Sequence, residues 1–145
     1  PGELLVTYAL GSCIGVSIWD PDARVGGLLH AMLPTAQLDR DRALKNPERF
    51  VDTGVPALFK ACYRLGAQKH RMVVKVAGGA RMVGTNGNDT FQTGKRNVLM
   101  FKKLLWKNGV LIKGQDTGDC LSRTVTLDVG TGDFWVKTST GTRAL

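Results

Sequence analysis

Short apolar runs separated by turn residues make up the N-terminal part of the chain. In the second run, Val16 and Ile18 alternate with a serine and a tryptophan, which is the two-residue period of a strand with one buried face. Glycine, serine, aspartate and proline interrupt the runs, as they do in tight turns. The pattern therefore predicts three strands, at Leu4 to Leu10, Ile14 to Trp19 and Val25 to Leu33.

The spacing of the apolar positions then changes from two residues to the three or four that are typical of a helix. Thr35 to Asn46 is polar and charged, and we expect a surface loop there. Beyond it, the positions that share one helical face are apolar, and they are Val51, Val55, Leu58, Phe59, Cys62 and Leu65. We predict a helix that begins at Pro47, has Asn46 as its N-cap and ends at Gly66.

The strand and helix patterns both occur again in the second half of the chain. One face of a predicted helix that runs from Lys95 to Lys107 is apolar, and it consists of Val98, Phe101, Leu104 and Leu105. Asn86-Gly87, in the loop before that helix, is a favoured tight-turn pair. Further strands are predicted at Met72 to Ala77, Val110 to Ile112, Thr124 to Val129 and Phe134 to Lys137.

No repeat or linker divides this series of elements, so we predict one layered α/β domain over residues 1–145. Its sheets are expected to be mixed but largely antiparallel, and it has two principal helices. The short connections between the first strands favour antiparallel neighbours. If the third strand pairs with the first, Cys13 and His30 lie close together.

Composition indicates a soluble protein of a reducing compartment. Hydrophobic residues make up 43% of the chain and charged residues 22%, and no apolar run reaches the roughly 18 residues of a membrane-spanning helix. Three cysteines, Cys13, Cys62 and Cys120, do not suggest the disulfide framework of a secreted domain. We therefore expect the cytoplasm and no membrane insertion. Because the chain starts at Pro1 rather than Met, we also expect that N-terminal residues are missing.

The net charge of +8 favours acidic partners. The basic residues are scattered in short groups, such as Arg40, Arg42 and Lys45, rather than gathered in one stripe. Nucleic-acid binding is therefore not expected. No Cys-x-x-Cys pair or His/Cys cluster has the spacing of zinc ligands, so we expect no metal site.

Cys13 is a candidate nucleophile because it directly follows the first strand, behind Gly11 and Ser12. Small residues let the backbone approach a substrate closely and leave amide groups free for a developing oxyanion, so Gly11 and Ser12 are candidate site-shaping residues. The alternative is that Cys13 is a small buried apolar residue, since free cysteine is often buried. Cys62, on the apolar helix face, is expected to be of that kind.

A nucleophilic thiol needs a histidine within hydrogen-bond reach. His30 lies in an apolar strand, where its ring requires a partner, whereas His70 lies in a basic group and is expected to be an exposed turn residue. Thr7, on the first strand, is a candidate third group that orients the imidazole. A threonine in a strand needs no functional explanation, so Thr7 by itself is a weak candidate.

Two segments together resemble the CheD family of chemoreceptor glutamine deamidases. They are Thr7 to Cys13, which reads TYALGSC, and Gly26 to Pro34, which reads GGLLHAMLP. The resemblance continues through Lys75 to Ala80, Arg96 to Val98 and Asp116 to Arg123. It covers nearly the whole chain. One departure is that Asp119 stands where the family commonly has a second glycine.

The resemblance implies a cysteine hydrolase related in fold to bacterial toxin deamidases, with Thr7, Cys13 and His30 matching the family's catalytic triad. Cys13 would attack the side-chain amide of a receptor glutamine and form a thioester, which water converts to glutamate. The substrates implied are the cytoplasmic domains of methyl-accepting chemotaxis receptors. No cofactor is implied. The family also suggests hydrolysis of receptor glutamate methyl esters, and a CheC-type phosphatase as partner.

Two other functions remain open. The chain is a non-catalytic regulator if it binds the CheC-type phosphatase without turnover. It is a transglutaminase-like enzyme if an amine replaces water in the second step. The intact Thr7, Cys13 and His30 favour hydrolysis over the regulator.

Overall fold

The computed structural model describes residues 3–82 and 92–145, which form a mixed α/β fold with two sheets. The strands are β1 (Leu4–Leu10), β2 (Ile14–Asp20), β3 (Val25–Ala31), β4 (Val73–Gly78), β5 (Ile112–Thr117), β6 (Arg123–Asp128), β7 (Phe134–Thr138) and β8 (Gly141–Ala144). The helices are α1 (Arg40–Lys45), α2 (Val51–Arg64) and α3 (Thr93–Lys107). Single 3-10 turns lie at Ala36–Leu38, Pro47–Arg49 and Lys69–Arg71. The predicted Asn86-Gly87 turn falls outside the described residues.

The strands form two four-stranded sheets. The first sheet has the order β1-β6-β7-β8 and the second has the order β3-β2-β4-β5. Strands β4 and β5 run parallel, while the other paired strands of the described chain run antiparallel. The predicted fold class, with mixed but largely antiparallel sheets, is confirmed.

Strand β2 lies at the centre of three layers. Its residues Ile14, Val16 and Ile18 are fully buried in the cluster that includes the apolar faces of α2 and α3. The alternate residues of β2 face the first sheet, where Trp19 packs with a second apolar cluster and its Nε1 donates to the Val129 carbonyl at 2.8 Å. Helices therefore cover one face of the second sheet and the first sheet covers the other.

A buried carboxylate holds the end of β2. Asp20 is fully buried, and its oxygens accept hydrogen bonds from Arg71 Nη2 at 2.9 Å and from the Gln68 backbone N–H at 2.8 Å. Burial alone would raise the pKa of this carboxyl, but the bonds from Arg71 and from three backbone N–H groups hold the pKa well below its usual range. Asp20 is thus an ionised anchor for the connection that leads into β4.

The expected pairing of the third strand with the first is wrong. Strand β3 pairs with β2 along its whole length, from Ile14↔Ala31 to Asp20↔Val25, and β1 pairs with β6 in the other sheet. Two sheets that pack face to face can bring β1 and β3 together through side chains without a backbone ladder. Short connections alone do not distinguish these two arrangements.

The segment before α2 also differs from the prediction. Thr35 to Asn46 is not a plain loop, because Asp39 caps α1 by accepting from the Arg42 N–H at 3.0 Å. Asn46 makes no side-chain cap. The fully buried Phe50 is extended, with φ −116° and ψ 140°, so it separates the turn at Pro47 from α2.

The ends of the other elements follow from local chemistry. Gly66 does end α2 as predicted, with φ +105° and its N–H donating to the Tyr63 carbonyl at 3.0 Å. Strand β5 begins at Ile112, where the predicted strand was expected to end, and runs to Thr117, so the predicted bounds are wrong. Strand β8 was not predicted because its four residues are all exposed and show no apolar alternation. In the described residues, no helix is long and apolar enough to cross a membrane.

Candidate active site

A hydrogen bond between the two sheets joins two of the predicted site residues. Thr7 Oγ1, on β1 of the first sheet, lies 2.8 Å from His30 Nδ1, on β3 of the second. Both residues are only partly buried. The imidazole therefore has a fixed partner on one nitrogen, while its other nitrogen stays available for a proton transfer.

Cys13 lies in the bend just before β2, near the end of β3 that carries His30. Ile14, the next residue, pairs with Ala31, and Gly15 lies directly opposite His30. Cys13 is partly buried and packs against the cluster between the sheets.

Gly15 lets the two sheets approach each other at this point. A Cβ atom at Gly15 would lie 2.9 Å from Leu10 Cδ1, 3.1 Å from Val125 Cγ2 and 3.6 Å from Thr7 Cγ2. The first two distances are too short for ordinary contact. The absence of a side chain at Gly15 is therefore part of how Thr7 reaches His30, and the sequence analysis did not identify it.

A β-bulge in β1 directly after Thr7 changes which way the following residues face. The register with β6 shifts between Thr7 and Leu10, and Ala9 within the bulge has φ +54°. Thr7 and Leu10 are three residues apart, so in a regular strand they would point to opposite faces. With the extra residue both face inward, and Leu10 is fully buried. Nothing in the local sequence marks an alanine for this conformation.

The loop at Gly11–Cys13 is held by backbone contacts with the end of β4. The Cys13 carbonyl accepts from the Gly79 N–H at 2.9 Å, and the Gly11 carbonyl accepts from the Ala80 N–H at 2.8 Å. Gly78 has φ +105°, and a Cβ there would collide with the Cys13 carbonyl oxygen. Glycine at this position thus permits the close approach.

One backbone amide of this loop, that of Ser12, has no partner among the described residues. The Cys13 N–H contacts its own sulfur. This geometry is compatible with the predicted oxyanion role of the loop. The roles assigned to Gly11 and Ser12 stay predictions.

Asn97 on α3 ties the two sides of the site together. Its side chain is fully buried, and Nδ2 donates to the Ser12 carbonyl at 2.9 Å and to the Met32 carbonyl at 3.0 Å. One of these carbonyls precedes Cys13 and the other follows His30 by two residues. Asn97 lies four residues before Phe101, on the apolar face of α3. A polar residue on an apolar helix face is the sequence feature that could have pointed to this structural role, but the sequence analysis assigned Asn97 no role.

Burial keeps both candidate reacting groups uncharged. It raises the pKa of the Cys13 thiol, an effect that the Cys13 N–H and the positive charge of Arg49 only partly offset. It also lowers the pKa of the His30 imidazole. At neutral pH the site therefore holds a thiol and a neutral imidazole, which suits proton transfer during the reaction rather than a preformed ion pair.

The remaining candidates occupy the positions expected of them. Cys62 is 2% exposed on the inner face of α2. Cys120 is exposed, with Arg81 Nη2 at 3.5 Å from its sulfur, and His70 is exposed in the turn at Lys69–Arg71. The described residues contain no group of three or more His, Cys, Asp or Glu that could hold a metal ion.

Comparison with known proteins gives one consistent family. The family model described as CheD chemotactic sensory transduction matches residues 32–138. A relative in Syntrophus aciditrophicus, named probable chemoreceptor glutamine deamidase CheD 1, is 56% identical over 140 residues, which are 97% of this chain and 86% of the relative. A protein of Solibacter usitatus named probable chemoreceptor glutamine deamidase CheD is 46% identical, over 94% of this chain and 80% of the relative. A protein of the same name in Thermococcus kodakarensis is 43% identical, over 89% of this chain and 79% of the relative. The chain therefore belongs to the CheD family, as its sequence motifs indicate.

Proposed function

We propose that this protein hydrolyses the side-chain amide of specific glutamines on methyl-accepting chemotaxis receptors and leaves glutamate. The observation that carries the proposal is the 2.8 Å contact of Thr7 Oγ1 with His30 Nδ1 between the two sheets, where Cys13 packs against the apolar cluster. The names of the relatives, probable chemoreceptor glutamine deamidases, support the reaction and the substrate.

The Thr7 contact favours one tautomer of His30 in this mechanism. When Nδ1–H donates to the Thr7 hydroxyl, Nε2 carries the free lone pair and serves as the general base. Cys13 gives its proton to Nε2 as the sulfur attacks the amide carbon of glutamine. The amide oxygen becomes an oxyanion, and the unpaired Ser12 N–H stabilises it, joined by the Cys13 N–H once the sulfur has bonded to the substrate carbon.

The second half of the reaction releases ammonia and then glutamate. The imidazolium of His30 returns its proton to the amide nitrogen as the carbon–nitrogen bond breaks, and ammonia leaves a thioester on Cys13. Water then attacks the thioester while His30 takes one of its protons. Breakage of the carbon–sulfur bond gives glutamate, and the proton on His30 regenerates the thiol. No cofactor takes part in these steps.

The net charge of +8 supports an acidic partner such as a receptor signalling domain. We place the reaction in the cytoplasm, where the cytoplasmic domains of receptors are accessible. The same groups would hydrolyse a glutamate methyl ester, with methanol in place of ammonia as the leaving group. A CheC-type phosphatase is the second partner that we propose, from the family resemblance.

The test is ammonia release from purified receptor signalling domains, together with the mass increase that accompanies conversion of an amide to a carboxylate. Cys13→Ala should abolish both signals, whereas Cys120→Ser, a matched change at an exposed cysteine, should keep them. The absence of ammonia from every receptor tested, with phosphatase binding intact, would favour the non-catalytic regulator instead. Methanol release from methylated receptor tests the second activity.

A further inference from the structure

Arg49 lies in a partly buried position without a counter-ion. Its Nε atom is buried and has no hydrogen-bond partner. Among the described residues, Arg49 takes part in none of the ion pairs. Taking part of a guanidinium out of water without a partner costs free energy, so a ligand that pairs with it would be favoured.

The two fully or largely buried arginines of this fold show what such a group normally binds. Arg71 pairs with Asp20 at 2.9 Å, and Arg123 pairs with Asp116 at 3.2 Å. A planar guanidinium matches a carboxylate in geometry and charge. Arg49 differs from both in that the described chain supplies no carboxylate to it.

The backbone of Arg49 is fixed next to the candidate active site. Its carbonyl accepts from the Met32 N–H at 2.8 Å and from the Leu33 N–H at 3.0 Å, just beyond the strand that carries His30. The Met32 carbonyl in turn shares the Asn97 amide with the Ser12 carbonyl. The positive charge of Arg49 also acts on the Cys13 thiol, whose pKa it lowers against the larger effect of burial. The backbone contacts thus link Arg49, through Met32 and Asn97, to the residue that precedes Cys13.

We propose that Arg49 forms a carboxylate-binding site beside Cys13, which a carboxylate of the bound receptor segment fills. The identity of that substrate rests on the function proposed above, whereas the site itself rests on Arg49 and its surroundings. A carboxylate can come from an acidic residue near the target glutamine or from the product glutamate. Both have the same chemistry, and peptide binding separates them below.

Alkylation of Cys13 tests the site without any need for turnover. Iodoacetate carries a carboxylate and iodoacetamide does not, yet both react with the same thiolate. The ratio of their rate constants therefore cancels any effect of Arg49 on the fraction of thiolate. Relative to the same ratio for N-acetylcysteine, we expect iodoacetate to be favoured at Cys13 by about tenfold, as one charge-assisted contact would give. The Cys120→Ser background and mass spectrometry of the Cys13 peptide keep the readout specific.

Arg49→Gln should bring that ratio down to the N-acetylcysteine value, and Arg49→Lys should keep part of the preference. Arg64→Gln, which removes the same charge from an exposed position at the end of α2, should leave the ratio unchanged. Because the Arg49 side chain makes no hydrogen bond to any residue that the structure describes, the variants should fold, and circular dichroism checks this. An unchanged ratio in Arg49→Gln, or an equal loss in Arg64→Gln, would overturn the proposal.

Calorimetry with Cys13→Ala protein identifies the source of the carboxylate. One peptide pair differs by Gln or Glu at the central position, and a second pair differs by Gln or Glu four residues away. Arg49-dependent preference for Glu at the outer position indicates an acidic neighbour, and preference at the centre indicates the product; preference at neither would overturn the role in substrate binding. If receptors release no ammonia while the alkylation preference persists, the deamidase function fails and the anion site stands.

Discussion

Gly15 lies directly opposite His30 in the pairing of β2 with β3, on the sheet face that Thr7 approaches from the first sheet. A Cβ at Gly15 would come 3.6 Å from the Thr7 side chain and closer still to two apolar side chains. The hydrogen bond between the sheets thus depends on a residue that carries no functional group. Gly15 acts only sterically, because it leaves room between the two sheets.

Gly15→Ala is therefore expected to weaken both folding and the site. The added methyl group would lie 2.9 Å from Leu10 Cδ1 and 3.1 Å from Val125 Cγ2, so the sheets must move apart or the side chains must shift. Overpacking of this kind costs about 1–3 kcal/mol. Urea unfolding measures the loss, and ammonia release measures the site. Wild-type stability in Gly15→Ala would show that the sheets adjust freely.

Thr7→Val should lower kcat by about 10–100-fold while KM changes little, because the imidazole loses the contact that fixes its tautomer and orientation. Valine has nearly the same shape as threonine, so packing is retained. Thr7→Ser keeps the hydroxyl and should recover much of the rate. Steady-state kinetics on one receptor domain compares the three proteins. Equal kcat in Thr7→Val and wild type would remove Thr7 from the mechanism.

The pH dependence of kcat/KM should reflect a neutral imidazole and a neutral thiol. Burial lowers the pKa of His30 below its ordinary value of 6.5, so the base stays unprotonated as the pH falls through 6.5. Activity should then be lost at still lower pH, once His30 becomes protonated. Because the pKa of Cys13 is raised, its thiol is not ionised near neutral pH. The reaction therefore needs the neutral His30 to take the thiol proton. A low-pH limb centred above 6.5 would contradict this assignment.

The sequence predicts where the strands and helices lie better than it predicts which strands pair with each other. The alternation in β2 and the helical spacing in α2 follow directly from side chains that must be buried, so both elements were predicted, although α2 begins at Val51 rather than at Pro47. The pairing of β1 was not, because it depends on β6, more than 100 residues away in the chain. Local pattern carries no information on that choice.

The same limit applies to the candidate site. Cys13 and His30 stand out as candidates in the sequence because their chemistry is distinctive, whereas Thr7 is a weak candidate by itself and gains support from the resemblance to the CheD family. Asn97 and Arg49 are not, because asparagine and arginine serve many purposes and only the contacts in the fold reveal theirs. The bulge at Ala9 is the extreme case, since the residue is an ordinary alanine in an uncommon conformation, with φ +54°.

Asn97→Ala should loosen the loop that carries Cys13. It leaves the Ser12 and Met32 carbonyls without their donor, which costs about 1–3 kcal/mol where such groups are buried. The alkylation rate of Cys13 by iodoacetamide should also change, because the sulfur is no longer held in one place. Asn108→Ala is the control, since its exposed Nδ2 donates only to the Leu104 carbonyl at the end of α3. Equal effects of the two variants would assign Asn97 no special role.

Asp20→Asn tests the buried carboxylate that anchors the end of β2, which has a role in stability and none in the proposed reaction. Removing a buried charge that Arg71 and backbone N–H groups hold should cost about 3 kcal/mol at neutral pH. Asp22→Asn, at a carboxylate that is 70% exposed beside the same arginine, should cost far less.

The pH dependence of the unfolding free energy tests Asp20 more specifically than a comparison at one pH. Because folding lowers its pKa, the ionised carboxylate contributes its full stability above the unfolded value of about 4. That contribution declines as the pH falls from there towards the lower folded value. The difference in unfolding free energy between wild type and Asp20→Asn should therefore be constant from pH 7 to about 5 and shrink in stronger acid. Urea unfolding across this range measures it, and a difference that grew on acidification would mean that the bonds from Arg71 do not outweigh the burial of Asp20.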